Sequence, residues 1–239
     1  MKKHIFLYLG LVSYMIASSN INLGAYKDID FKQTKTIEQL SNSFLGTAYK
    51  SNSLIGDANS KEKLVIDFTA FDCFTFIDTI EALKGSNSFD KFKSKLIDTR
   101  YKNGKISYKN RKHFFSDWVT YNKNIKDITC KIGKCKKTTK YLNQKSNDKV
   151  YLKSIPIVKR DIYHISSKDI DISKLKVGDY IGIYTNFKGL DVTHTGVIVI
   201  KNSMVYLRHA SSKKMKVIDS LFVQYIDKKD GVVVYRSIN

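Results

Sequence analysis

From Phe74 onward the apolar positions fall at helical spacing. Phe74, Ile77, Ile80 and Leu83 recur three apart, and Phe76 joins Ile80 and Leu83 on a neighbouring stripe. Lys84-Gly85 supplies a stop, so the pattern predicts a helix that begins at or within a turn of Cys73. Upstream, the stretch from Asp28 to Leu45 suits helices, with Ile37, Leu40, Phe44 and Leu45 on one face and Gly46 at its end. Leu64 to Phe68 reads as a short extended approach to the cysteine helix. Phe92, Leu96 and Ile97 mark a further helix from Phe89 to Tyr101.

The last third changes period. Val177 to Tyr184 is a turn leading into a β-run, and Thr193–Ile200 and Met204–His209 are two more, divided by the polar corner Lys201-Asn202-Ser203. Lys216–Ile218 and Val232–Tyr235 complete the set. Helices first and antiparallel strands afterwards predict an α+β fold. Between the halves, Lys102 to Asn147 is a polar, turn-rich insert that holds Trp118 and two cysteines. A stretch of that length inside a compact domain carries function or local structure of its own.

The hairpin pattern also constrains geometry. If Asn202-Ser203 form a two-residue turn, Lys201 faces Met204, and counting back sets Gly196 opposite His209. His194 then shares a sheet face with His209 as a diagonal neighbour. A three-residue loop would instead pair Thr195 with His209 and send the two rings to opposite faces.

Composition narrows the setting. Met1-Lys2-Lys3 followed by the apolar Ile5–Ile16 and the small residues Ala17-Ser18-Ser19 reads as a secretory signal over 1–19, too short to span a bilayer. Residues 26–239 are enough for one hydrophobic core and are read as a single domain with its insert at about 102–147. An exported protein, in a periplasm or outside the cell, is the expectation. The formal net charge is +20, which predicts electrostatic association with an anionic envelope. The basic residues are spread along the whole chain, without the compact block of a nucleic-acid module, so no specific nucleic-acid partner is expected. A monomer is the expected state.

Cysteine usage fits an oxidising compartment. Cys130 and Cys135 can close a short loop through Gly133 as a disulfide, which leaves Cys73 as an unpartnered thiol. There is no Cys-x-x-Cys pair and no His-x-x-x-His spacing, so neither metal nor cofactor is expected. A cysteine at a helix start meets free N–H groups and the helix dipole, which favour a thiolate. With His194 and His209 downstream, the parts of nucleophilic acyl transfer are present. A small buried apolar side chain is the alternative for Cys73.

In order along the chain, Asp72-Cys73, Leu175-x-x-Gly178-Asp179, His194-x-Gly196-Val197-Ile198-Val199 and His209-Ala210-Ser211-Ser212 resemble the NlpC/p60 papain-like cysteine hydrolases of bacterial cell walls. Phe44-Leu45-Gly46-Thr47-Ala48-Tyr49 resembles that group's segment upstream of the cysteine, with Ala48 where proline is common. Phe71-Asp72-Cys73-Phe74-Thr75-Phe76 and Arg111-Lys112-His113-Phe114-Phe115-Ser116-Asp117-Trp118 resemble the N-acetylmuramoyl-L-alanine amidase branch, long catalogued as a domain of unknown function. The resemblance implies a papain-like fold, with the cysteine helix packed on an antiparallel sheet. It implies hydrolysis of the amide between N-acetylmuramic acid and L-alanine in peptidoglycan fragments. Cys73 matches the nucleophile, His194 the base and His209 the group that orients it.

Substrate contacts are expected at Tyr49, Asp72, Arg111, His113 and Trp118. Aromatic faces stack on sugar rings, and Arg111 could meet a carboxylate. The alternative for the insert is that Phe114, Phe115 and Trp118 anchor it to the core. Related sites cut the D-γ-glutamyl-diaminopimelate bond, and a silent binder of anionic wall polymers is a further alternative.

Overall fold

The computed structural model describes residues 19–24 and 35–238. Nearly all of the expected leader, and the opening of the helical stretch expected from Asp28, lie outside the described residues. A short strand β1 (Asn20–Asn22) pairs in parallel with β3 (Val65–Asp67). Helix α1 (Ile37–Asn42) opens on a capping box in which Thr36 accepts from the Gln39 amide and the Gln39 side chain accepts from the Thr36 amide. β2 (Ala48–Tyr49) and β4 (Ala70–Phe71) lie parallel at one edge of the main sheet.

Helices α2 (Cys73–Leu83) and α3 (Phe89–Arg100) match the sequence spacing. They are clamped together from inside. Arg100 Nε meets Asp78 Oδ2 at 3.0 Å, its Nη1 donates to the Val65 carbonyl at 2.6 Å, and both charged side chains are buried. Removing one partner of such a pair would leave an uncompensated buried charge, at a cost of about 3–5 kcal/mol.

The remaining elements are α4 (Phe115–Tyr121), β5 (Ile125–Asp127), α5 (Thr129–Ile132), β6 (Gly133–Leu142), β7 (Val158–Ile170), β8 (Tyr180–Tyr184), β9 (Val192–Lys201), β10 (Met204–Ser211), β11 (Lys216–Leu221), α6 (Phe222–Ile226) and β12 (Gly231–Ser237). Among the described residues the main sheet runs β4-β2-β11-β10-β9-β8-β12-β7-β6, with β5 on β12. Every pairing in it is antiparallel except β2 with β4.

The polar stretch from Lys102 is therefore more ordered than its composition suggests. β6 is an edge strand made mostly of lysine and threonine, so it lacks the alternating apolar signal of a half-buried strand. The inward side chain of Lys140 stands in for an apolar residue. Its ammonium donates to the Thr185 and Phe187 carbonyls at 2.7 and 2.9 Å and lies over the Tyr184 ring. Cys130 and Cys135, at the root of this strand, are joined by a disulfide.

The sheet is covered on both faces. Val197, Ala210 and Val233 join the cluster of Phe76, Ile77, Ile80, Phe92 and Trp118 on the side of α2 to α4. Their neighbours Ile198, Leu207, Val232 and Val234 join Ile128, Ile132, Phe222 and Ile226 on the side of α5 and α6. Double coverage explains why β9 reads as a continuous apolar run rather than an alternation. Each Val, Leu, Ile or Phe side chain so withdrawn from water contributes about 1.5–3 kcal/mol to folding.

Candidate active site

The β9–β10 hairpin takes the two-residue turn. Asn202 and Ser203 both have positive φ, +48° and +63°, and Lys201 pairs with Met204. The ladder continues to Val197 opposite Arg208. Beyond that rung β9 stays paired with β8, and β10 with β11. The start of α2 meets the strands at this point, where the Thr195 hydroxyl donates to the Cys73 carbonyl at 2.8 Å. His194 Nε2 lies 2.7 Å from His209 Nδ1, with the two rings perpendicular. His209 Nε2 in turn lies 3.0 Å from Ser220 Oγ on β11. Gly196 makes the close approach feasible, because a Cβ there would stand 2.7 Å from the Arg208 carbonyl oxygen and 3.0 Å from the His209 Cβ.

Cys73 is the first residue of α2, and Asp72 is its N-cap. Asp72 Oδ1 accepts from the Phe74 and Thr75 amides at 2.9 and 2.7 Å, and Oδ2 accepts from the Ser53 hydroxyl at 3.2 Å. The Asp72 carboxylate expected to meet substrate is engaged as the cap of α2. The cap takes the Phe74 and Thr75 amides and not that of Cys73.

The electrostatics bear on the thiolate expected at the helix start. Cys73 is half-buried, and burial pushes its thiol up to about 11, with the Asp72 carboxylate acting in the same direction. The Thr195 amide and hydroxyl and the Cys73 amide oppose this without overcoming it. A thiol is therefore favoured over the thiolate expected at a helix start, because the cap brings its own negative charge beside the sulfur. Burial holds His194 down to about 3, helped by His209 and Lys229. Burial likewise holds His209 down to about 4 against the pull of Asp219. The favoured state at neutral pH is a neutral thiol with two neutral imidazoles.

Cys73 and His194 line one cavity of about 230 Å³. Phe74, the segment Leu190–Thr195, His113, Phe114, Phe115, Tyr151 and Leu152 complete its lining. Among the described residues no hydrogen bond joins the Cys73 sulfur to His194, so the two share a wall without being locked together. Tyr225 of α6 packs against both imidazoles, 4.9 Å from His209 and 6.1 Å from His194 between ring centroids. Thr195, Ser220 and Tyr225 carry no sequence signal of their own, since each is an ordinary strand or helix residue until its neighbours are known.

The expected substrate residues separate. His113 lines the cavity, its Nε2 donating to the Tyr108 carbonyl at 2.8 Å, and burial holds it neutral with a pKa of about 4. Tyr49 is not among the residues that line the cavity; burial, then negative charge at Cys73 and Asp72, raises its phenol. Arg111 is not on the cavity wall, and the expectation that it meets a substrate carboxylate is corrected. Its guanidinium grips Glu62 through Nε at 3.0 Å and Nη2 at 2.6 Å, and also donates to the Gly56 carbonyl. Trp118 is corrected too, since it is fully buried, with Nε1 donating to Asp78 at 3.2 Å and its ring against Phe74, Phe115 and Tyr180. The reading in which it anchors the insert to the core is the one realised. Asp191, which no motif or spacing marked, lines the cavity and accepts from the Ser116 and Val192 amides at 2.7 and 2.8 Å. Among the described residues no three metal-ligating side chains gather at one point, and no helix is long and apolar enough to cross a membrane.

Solved structures share this architecture. An N-acetylmuramoyl-L-alanine amidase from Bacteroides uniformis superposes with a TM-score of 0.73 at 25% identity, covering 85% of this chain and 99% of its own. A protein of Legionella pneumophila gives 0.71 at 25% identity, over 85% and 88%. One from Bacteroides fragilis, named a candidate xylanase, gives 0.70 at 25% identity, over 82% and 98%. The chain matches no curated protein. The model of the AmiA-like family, described as N-acetylmuramoyl-L-alanine amidase-like, matches residues 39–232. With that span matched, the chain belongs to the AmiA-like family of N-acetylmuramoyl-L-alanine amidase-like proteins.

Proposed function

We propose that this protein is an exported cysteine amidase that cuts the amide between the lactyl group of N-acetylmuramic acid and L-alanine in peptidoglycan fragments. The scaffold would be of the papain-like NlpC/p60 kind, a reading supported by a helix-borne cysteine set against an antiparallel sheet that carries both histidines. The observation that carries the proposal is the meeting of Cys73 and His194 at one cavity, with His209 2.7 Å from the His194 ring, in a member of an amidase-like family.

A neutral thiol beside neutral imidazoles favours a concerted start. His194 takes the thiol proton as the Cys73 sulfur attacks the amide carbonyl, so charge appears only as the bond forms. The sulfur–carbon bond closes and the carbonyl oxygen becomes an oxyanion, to which the Cys73 amide at the helix start can donate. Collapse breaks the carbon–nitrogen bond, and His194 returns its proton to the departing L-alanine amine. A thioester to the muramic acid lactyl group is left on Cys73. Water, deprotonated by His194, hydrolyses it to the free lactyl carboxylate and restores the thiol. His209 orients His194 throughout. The separation of sulfur and imidazole in the free protein is compatible with this, because such contacts commonly tighten when substrate binds.

On this reading His113 and Tyr49 meet the substrate. His113 donates through Nε2 to the Tyr108 carbonyl, which leaves Nδ1 as an acceptor for a substrate N–H or O–H. A xylanase activity, as in the name of the Bacteroides fragilis structure, fits less well. Glycoside cleavage ordinarily takes two carboxyl groups flanking the bond. Among the described residues Asp191 is the one carboxylate on the cavity wall, and it is tied to two backbone amides. The net charge of +20 would hold the enzyme, as a monomer, near the anionic envelope.

The test is cleavage of defined muropeptides with mass identification of products. Release of a stem peptide with a free L-alanine amine is expected, and Cys73→Ala should lower turnover by about 10⁴-fold or more with the fold intact. Turnover retained by Cys73→Ala would sink the thiol mechanism. Cleavage within the stem would replace the bond assignment with an endopeptidase one.

A further inference from the structure

The histidine pair does not end the row of polar atoms on this face of the sheet. His194 Nε2 contacts His209 Nδ1 at 2.7 Å, and His209 Nε2 contacts Ser220 Oγ at 3.0 Å. Three adjacent strands, β9, β10 and β11, each supply one member. Burial keeps both imidazoles neutral, so two protons are shared among four ring nitrogens. The 2.7 Å contact accommodates one of them.

Two ordered arrangements are open to the row. In one, His194 donates from Nε2 to His209 Nδ1, His209 donates from Nε2 to Ser220 Oγ, and His194 Nδ1 keeps its lone pair. In the other every bond is reversed: Ser220 donates to His209, His209 donates to His194, and His194 Nδ1 already holds a proton. Only the first leaves a base. Neither ring can switch alone, because the shared contact would then hold two protons or none. The end of the row therefore decides its sense. Ser220 is half-buried, so its oxygen can accept the ring N–H while its own proton turns to solvent.

We propose that Ser220 is a positioning residue that fixes the tautomers of both histidines by accepting from His209, so that His194 Nδ1 stays free to take a proton. The catalytic consequence rests on the amidase reading of His194; the tautomer assignment does not. Tyr225, packed on both rings, limits their rotation and keeps the row in register.

The test is ¹⁵N NMR of ring nitrogens at neutral pH in the full chain, for the wild type, Ser220→Ala and Ser220→Thr, beside steady-state kinetics on a muropeptide. In the wild type both Nδ1 atoms should be unprotonated and both Nε2 atoms protonated. Ser220→Ala should mix the tautomers and lower kcat about tenfold with KM unchanged, the scale of one lost hydrogen bond. Ser220→Thr, which keeps the hydroxyl, should restore both readouts. A proton on His194 Nδ1 in the wild type would overturn the proposal, as would tautomers that Ser220→Ala leaves ordered. If Ser220→Ala does not fold, the wild-type and Ser220→Thr spectra still decide. Ordered tautomers in a wild type that cleaves no muropeptide would uphold Ser220 and sink the amidase reading instead.

Discussion

The cavity has two unlike sides. The sheet presents His194 to the cavity, and behind it His209 and Ser220 continue one row across β10 and β11. The insert carries Arg111 and His113 on irregular chain and Trp118 on the short helix α4, and of these three only His113 reaches the cavity. Arg111 and Trp118 turn inward and hold the insert to the core through Glu62 and Asp78. A strand dictates direction because its side chains alternate, so a polar residue in an apolar run is visible before the fold is known. A loop imposes no such period, and a helix as short as α4 shows little of one. The same residue types that could bind a sugar or a carboxylate there were available to build structure, and two of the three did.

That contrast can be broken by mutation. His194→Ala should lower kcat by about 10²–10⁴-fold, the usual range for a general base, with little change in the urea midpoint. Activity near wild type would remove the sheet side from the chemistry. Trp118→Ala should do the opposite, costing about 3–5 kcal/mol of stability because it empties a fully buried site. Arg111→Ala should cost a similar amount by stranding the buried Glu62 carboxylate. Urea titration read beside KM separates the roles, since a large rise in KM at unchanged stability would return either residue to the substrate.

The pH response sharpens the same contrast. Because His194 is held to about 3, His209 to about 4 and the Cys73 thiol at about 11, kcat/KM should be flat from about pH 5 to pH 9. A bell centred near pH 6 would instead signal a thiolate–imidazolium pair. Stability should respond on both sides of the cavity. His194, His209 and His113 all have folded pKa values below the ordinary 6.5. As pH falls below 6.5 the unfolded chain gains protons that the folded chain refuses. Their contribution is therefore complete above about 6.5 and is lost progressively toward pH 4 to 3. Thermal melts between pH 7.5 and 4.5 should show Tm falling with pH over this window.

The smallest expected effect lies in the hairpin turn. Ser203 holds φ +63°, where glycine has no Cβ penalty, so Ser203→Gly should stabilise by about 0.5–1 kcal/mol and leave kcat alone. A loss of activity there would mean that the turn, and not only the strands, sets the histidine register.

By itself the sequence determined whatever depends on period and on local chemistry. Helical spacing located α2 and α3, and the Asn202-Ser203 corner offered two registers for β9–β10, of which the structure takes the one that brings His194 to His209. The AmiA-like membership was likewise legible from short motifs in order. Only the tertiary structure decided β6 and β7, because an edge strand that buries a lysine stem leaves no apolar alternation to read. It alone decided that Arg111 meets Glu62, that Trp118 meets Asp78, and that Ser220 terminates the histidine row. It also set the direction in which the Cys73 thiol is pushed, because desolvation and a neighbouring carboxylate are sums over surrounding atoms, and no spacing along the chain encodes such a sum.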